Sequence, residues 1–261
     1  AGINFIDTSP DYGNSEVLIG ESISHRRDEF FLASKCGCPV NHAPAAGGRP
    51  PHVFTRENIR AGVEQSLSRM KTDHLDLVQF HISPARSVLE ENDSVAELKM
   101  LQQEGKIRFI GMSGTLPNLV DHIEMGVFDA FQIPYSLVEP EHDEWIRKAS
   151  EAGAGTVIRG GVARGIPAGQ RQNLDALPER FRQAFQRRRD LWAAAKLEDL
   201  IGELSIMEFM LRFTISHPHL NTTIVGTSNA AHLEDNLAAA RNGPLPGDVY
   251  EEAKRRIAAA T

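Results

Sequence analysis

The sequence predicts an α/β chain in which parallel strands and outer helices alternate toward a (β/α)8 TIM-type barrel, with the first strand and most of the first helix missing. Three observations predict it. Short apolar runs bounded by Gly, Pro, Asp or Asn recur between longer amphipathic stretches. Seven such units can be counted, whereas a closed barrel of this type has eight strands. The chain also opens on Ala1, Gly2 and Ile3, without an initiator Met, and runs straight into an apolar strand.

The strand candidates are 3–7, 30–35, 75–81, 107–111, 130–134, 156–159 and 222–226. Most are too short for helices. Between them, Ile59, Val63, Leu67 and Met70 fall on one face at helical spacing. Ser94 and Glu97 form a capping box ahead of Leu98 and Leu101, and Gly105 can close that helix in the left-handed conformation. Further helices fit 15–23, 118–125, 142–152, 204–216, 231–240 and 248–260. Alternation of this kind admits a doubly wound sheet as well as a barrel; the count of seven agrees with a barrel that has lost its first unit. Two segments break the rhythm, 36–54 and 166–200. Both leave carboxyl ends of strands, the face where such barrels carry their sites, and both are expected to wall a substrate pocket.

A chain of 261 residues can bury one large core or divide into two ordinary domains; a single barrel domain over 1–261 is expected. The net charge of −7 and the absence of a basic stripe argue against nucleic acid. Arg187, Arg188 and Arg189 sit among acidic residues and read as a solvated helix face. No apolar run is long enough for a bilayer and none reads as a signal peptide. Cys36 and Cys38, one residue apart, make a poor disulfide framework, so a reducing cytoplasm is expected. A metal site from Cys36, Cys38, His42 and His52 matches no strong ligand spacing, and no metal is expected. Nothing in the sequence sets the oligomeric state.

The chemistry sits at strand ends. The first three runs finish at Asp7, Lys35 and His81, with Tyr12 in the loop after Asp7. If the strands are parallel, all four reach one face. A carbonyl that receives hydride becomes an alkoxide and needs a proton as charge develops. A free phenol is a poor acid at neutral pH, but an ammonium about 4 Å away contributes roughly 4 kcal/mol at an effective dielectric of about 20. Asp7 can keep that ammonium charged, and a neutral His81 can orient or polarise the carbonyl oxygen. A lone Lys, His or Asp at a strand end is more often a surface or capping residue; four in this order are hard to read so. A hydrolytic barrel would need paired carboxylates at these ends, and Asp7 is the only one there.

The stretch INFIDTSPDYGNSEVLIG over 3–20 resembles the signature of the aldo-keto reductases, as do LASKC around Lys35, LDLVQFH ending at His81 and EGKIRFIGMSG over 104–114. The likeness runs from end to end of the chain. It implies a catalytic tetrad of Asp7, Tyr12, Lys35 and His81, with Tyr12 as general acid in reduction of a small-molecule carbonyl such as an aldehyde, ketone or sugar. It also implies a nicotinamide cofactor, NADP with NAD as the other choice, and no metal. The family's first strand and most of its first helix are absent, which would leave two unpaired edges beside the site.

No G-x-G-x-x-G follows a strand, so a Rossmann site is unsupported. Gly160–Gly165 (GGVARG) reads first as turn glycines. After the last strand, Thr227, Ser228 and Asn229 precede a helix, where Ser228 or Asn229 can cap and free N–H groups can receive a phosphate; an ordinary N-cap fits equally. The resemblance places Ser113 and Gln132 on the nicotinamide carboxamide, and Arg159 stands where the family often sets an aromatic ring against the nicotinamide. It places Val162, Arg164, Gly226, Thr227, Ser228, Asp235 and Asn236 along the cofactor. Gly114 replaces the family's usual Asn, and Gly226 and His232 stand where many NADPH-preferring members carry Lys and Arg. The other readings are a cofactor-binding sensor or regulatory subunit of the same family, and an inert fragment.

Overall fold

A computed structural model describes residues 2–40, 51–165 and 179–261. It contains seven strands: β1 (Phe5–Asp7), β2 (Phe31–Cys36), β3 (Leu75–Phe80), β4 (Ile107–Ser113), β5 (Ala130–Pro134), β6 (Gly155–Arg159) and β7 (Thr222–Ile224). They lie in one sheet in chain order, and each described ladder is parallel. All seven match expected runs. β3 is buried at every position, as a parallel strand covered on both faces must be.

The α-helices are α1 (Ser15–Ser22), α2 (Arg56–Met70), α3 (Arg86–Glu91), α4 (Ser94–Gln103), α5 (Leu119–Met125), α6 (Asp143–Glu151), α7 (Glu179–Ala195), α8 (Glu198–Ile201), α9 (Ile206–Ile215), α10 (Ala230–Arg241) and α11 (Gly247–Ala260). α2 starts where the Thr55 side chain accepts from Asn58 N, and it buries Ile59, Val63 and Met70 while Leu67 stays half-buried. Of the two rhythm-breaking segments, residues 41–50 and 166–178 lie outside the described residues, and α7 and α8 fall within the second.

The expected capping box on α4 does not form. Asp93, in the left-handed region at φ 52°, is the N-cap and makes no side-chain cap. Ser94 Oγ instead donates to Phe54 O at 2.6 Å, and the Glu97 carboxylate accepts from Arg56 and Arg60 at 3.0 and 2.6 Å. Partners from α2 and the segment before it displace the local motif. Gly105 does close the helix end at φ 75°.

The chain divides into two compact units, Ala1–Gln132 with Lys148–Gly155, and Ile133–Arg147 with Thr156–Thr261. In the first, Phe5 of β1, Phe31 of β2 and Phe109 of β4 stack in a row, with centroids 5.2 and 6.2 Å apart. Phe54, Phe80, Phe128 and Phe131 form a second aromatic chain with centroids 5.6–6.1 Å apart; such pairs are worth about 0.5–1.5 kcal/mol each beyond the area they bury. In the second, α9 starts at Ser205, whose side chain accepts from Glu208 N, and buries Phe209, Met210, Leu211, Phe213 and Thr214. Tyr135, Phe213 and Tyr250 pack ring on ring there, with centroids 6.0 and 4.9 Å apart.

Register positions the site. Residues opposite one another in a parallel ladder point to the same face, and along a strand every second residue shares that face. Asp7 lies opposite Ala33, Lys35 opposite Gln79, Gln79 opposite Gly111 and Ser113 opposite Gln132. Asp7, Lys35, Gln79, Ser113 and Gln132 therefore line one face of the first unit.

Candidate functional site

At the centre of that face, Lys35 Nζ donates to Asp7 Oδ2 at 2.7 Å and to Thr8 O at 2.9 Å. Both side chains are nearly sealed, at 1% and 5% exposure. Burying two charges costs several kcal/mol per ion unless every lone pair and proton finds a partner. Here Asp7 Oδ1 also accepts from Gln79 Nε2 at 3.2 Å and from Gln132 Nε2 at 2.8 Å. The carboxylate thus takes three charge-assisted bonds, and the ammonium keeps one proton in reserve.

Tyr12 stands close to that ammonium. The turn from Ser9, closed by Tyr12 N on Ser9 O at 3.0 Å, swings the tyrosine back over the strand ends. Lys35 Nζ lies 4.9 Å from the centroid of the Tyr12 ring, within cation–π range. The ring remains 44% exposed, so it is open to a substrate. Among the described residues no hydrogen bond joins the Tyr12 hydroxyl to Lys35; the ammonium faces the ring. His81 meets the same ring edge-on, with centroids 6.1 Å apart and planes at 81°. All four residues expected from sequence are therefore in one neighbourhood. The backbone just beyond His81 is strained: Ile82 and Ser83 have φ of 62° and 54°, a region that costs a β-branched residue roughly 1–2 kcal/mol. Ser83 Oγ bridges Thr115 O and N at 3.1 and 3.0 Å, and Asn118 Nδ2 holds Ser83 O at 2.8 Å. Those bonds hold the bend and leave Ile82 exposed beside the histidine.

His81 Nδ1 faces Cys38 Sγ at 3.5 Å, His52 Nε2 at 3.2 Å and Asp11 Oδ2 at 3.6 Å. Burial, reinforced by the negative charge of Asp11, pushes the Cys38 thiol up to about 12. Cys36 is buried as the last residue of β2, and burial raises its thiol well above the ordinary range. Ser113 is buried at the end of β4 opposite Gln132, whose amide nitrogen is already engaged by Asp7.

The second unit supplies a cleft of about 890 Å³, whose lining includes Val162, Arg164, Gly226, Thr227, Asp235 and Asn236, all expected along a cofactor. His232 and the first residues of α9 also border it. Asn229, of the two cap candidates, caps α10: its Oδ1 accepts from Ala231 N at 2.9 Å, and Thr227 Oγ1 accepts from Asn229 N at 3.1 Å. Ser228 is exposed in the same turn, and Arg159 ends β6; neither borders the cleft. The α10 N-terminus is exposed and has no acidic residue in its first turn, so its amides and dipole favour an anion.

The GGVARG turn is more than flexible backbone. Gly160, Ala163, Arg164 and Gly165 all have positive φ, and a Cβ at Gly161 would lie 2.7 Å from Thr214 Cγ2. Thr214 Oγ1 donates to Gly161 O at 2.8 Å and fixes the turn against α9.

Sequence reasoning missed Gln79 and Asp11. Gln79 precedes His81 by two residues on one strand and so shares its face; Asp11 directly precedes Tyr12. Both signals were present but neither residue type announces this chemistry.

Known proteins extend the likeness. The Aldo/keto reductase family model matches residues 1–257. An "Uncharacterized oxidoreductase YqkF" of Bacillus subtilis (strain 168) is 29% identical over 249 residues, covering 92% of this chain and 78% of that protein. The L-galactose dehydrogenase of Arabidopsis thaliana is 25% identical over 251 residues, covering 91% and 74%. The holo form of aldo-keto reductase AKR11C1 from Bacillus halodurans superposes with a TM-score of 0.80 at 25% identity, covering 98% of this chain and 83% of that one. With its seven parallel strands in chain order, its flanking helices and a family match over residues 1–257, this chain has the (β/α)8-type fold of the aldo-keto reductases and belongs to the Aldo/keto reductase family.

Proposed function

We propose that this NAD(P)H-dependent oxidoreductase reduces a small aldehyde, ketone or sugar carbonyl with Tyr12 as proton donor. The observation that carries the reading is the buried Asp7–Lys35 pair whose ammonium is directed at the Tyr12 ring. A nicotinamide, when bound, supplies the hydride. As negative charge grows on the carbonyl oxygen, the Tyr12 hydroxyl gives up its proton to it, and Lys35 offsets the phenolate left behind. Asp7, with Gln79 and Gln132, keeps Lys35 charged and fixed in a site from which water is largely excluded. His81 orients the carbonyl oxygen from the other side of the ring.

Val162, Arg164, Gly226, Thr227, Ser228, Asp235 and Asn236 would hold the cofactor's phosphate-bearing end, and Ser113, Gln132 and Arg159 its nicotinamide. The size of the cleft, the exposed α10 N-terminus and the Arg164 cation support that fit. NADP is the first choice, with NAD the other: Arg164 lines the cleft as a cation, while Gly226 and His232 stand where many NADPH-preferring members of the family carry Lys and Arg. The segments 36–54 and 166–200 would contact the substrate.

The test is Tyr12→Phe with NADPH and NADH oxidation measured against a panel of aldehydes, ketones and sugar lactols. Turnover should fall by about 10²–10⁴-fold while cofactor still quenches the protein's fluorescence. Negligible turnover before the mutation would instead favour a cofactor-binding sensor.

A further inference from the structure

The first unit holds a second constellation that the proton-transfer reading does not use. Asp11, Cys38, His52 and His81 each turn one donor atom inward, and the four atoms lie within 4.8 Å of one another. We propose that these four residues bind one divalent cation of the zinc type. The carboxylate comes from the turn before Tyr12, the thiol from just past β2, and the imidazoles from the segment before α2 and from just past β3.

Three observations carry the inference. The first is metric. Metal–nitrogen and metal–oxygen bonds of about 2.0–2.2 Å and a metal–sulfur bond of about 2.3 Å give a tetrahedron with edges of roughly 3.3–3.6 Å. The separations are His52 Nε2 to His81 Nδ1, 3.2 Å; Cys38 Sγ to His81 Nδ1, 3.5 Å; and Cys38 Sγ to His52 Nε2, 3.7 Å. Asp11 Oδ2 lies 3.2 Å from His52 Nε2 and 3.6 Å from His81 Nδ1. Five of the six edges of a tetrahedron are thus already near their bonded length.

The second is that Asp11 Oδ2 is buried and has no hydrogen-bond partner among the described residues, although it lies within ion-pair distance of both rings. A buried carboxylate oxygen left so is costly, and a cation would satisfy it. The third is the donor set: one thiolate, two imidazoles and one carboxylate suit zinc and disfavour magnesium or calcium. Of the cysteine and histidine set weighed from sequence spacing, Cys38 and His52 take part among the described residues. Cys36 is outside the group, and His42 lies outside the described residues.

Binding balances simply. The cation accepts a lone pair from each of Asp11 Oδ2, His52 Nε2, His81 Nδ1 and Cys38 Sγ; the Cys38 S–H bond breaks and its proton leaves to the buffer. The four side chains begin with the single negative charge of Asp11. With thiolate and carboxylate both negative and the cation doubly positive, the set ends neutral. Coordination through Nδ1 also leaves the remaining His81 proton on Nε2. His81 is shared with the proposed reduction, but cation binding can be measured without turnover.

The experiment uses the whole chain, stripped with chelator, then dialysed against zinc or cobalt. About one equivalent of zinc per chain is expected, with one proton released per cation at about pH 8. The cobalt form should show a thiolate-to-cobalt charge-transfer band in the near ultraviolet and tetrahedral d–d bands in the visible. H52A and C38S should each weaken zinc by on the order of a hundredfold or more, and C38S should abolish the charge-transfer band, whereas C36A should keep both signals. Circular dichroism identifies a variant that fails to fold; H52A carries the test if C38S does so. A cobalt spectrum without the thiolate band, or zinc uptake that H52A and C38S leave unchanged, would overturn the proposal.

Discussion

Lys35 Nζ and Asp7 Oδ2 sit 2.7 Å apart at 1% and 5% side-chain exposure, and the pair links the fold to the proposed chemistry. Removing one partner leaves the other charged in a site built to exclude water. Lys35→Met should therefore destabilise the chain by about 3–5 kcal/mol and also cut turnover. Asp7→Asn should cost less stability, because Gln79 and Gln132 can still donate to the remaining amide oxygen, yet it should lower kcat. Urea unfolding and steady-state kinetics separate the two effects. Lys35→Met with unchanged stability would show that the pair is not desolvated as the geometry implies.

Asp76 gives a pH dependence. Its burial would raise the carboxyl, but the Leu32 N–H, Arg27 and Arg108 outweigh burial and hold it below the usual carboxylate range. A depressed folded value means the unfolded state binds the proton more readily, so the stabilisation is complete above the unfolded value of about 4 and fades as pH falls below it. Urea midpoints of the wild type and Asp76→Asn should differ at pH 7 and draw together as pH falls below about 4. A gap that stays constant over that range would contradict the assignment.

Much of this was legible in the sequence, for reasons that differ by element. The seven strands announced themselves because each apolar run is bracketed by turn residues, and parallel order alone then sends Asp7, Lys35 and His81 to one end. α3 escaped because RSVLEE buries only Leu89 and presents no apolar stripe. The 3-10 segment Ser24–Glu29 buries nothing and was equally silent. The capping box misled because Ser94 and Glu97 find partners far away in sequence, Phe54 and the two arginines of α2. Gln79 and Gln132 reach Asp7 across 72 and 125 residues, a pairing that only the strand register makes visible.

Arg164 tests the cofactor preference. It lines the cleft beside His232, Thr227 and Asn236. If its guanidinium meets the additional phosphate that distinguishes NADP from NAD, Arg164→Ala should weaken NADPH by roughly ten- to a hundredfold, the 1.5–3 kcal/mol of a charged hydrogen bond, and leave NADH nearly unchanged. Fluorescence titration at two ionic strengths checks this, since the NADPH term should also shrink with salt. Equal losses for both cofactors would place Arg164 on the shared diphosphate.

Gly161 tests whether the turn itself is tuned. Its missing Cβ admits Thr214, whose methyl would stand 2.7 Å from an added carbon and whose hydroxyl bonds the Gly161 carbonyl. Thr214 cannot retreat freely, because its one hydroxyl proton is shared between Gly161 O and Met210 O, the latter at 3.0 Å inside α9. Gly161→Ala should thus cost about 1–3 kcal/mol from overpacking and displace Val162 and Arg164, raising the Kd for cofactor. Combining it with Thr214→Ser removes the clashing methyl but keeps the hydroxyl, so the double variant should recover most of the lost stability and affinity. If the double variant recovers stability alone, the turn supports α9 without shaping the cleft.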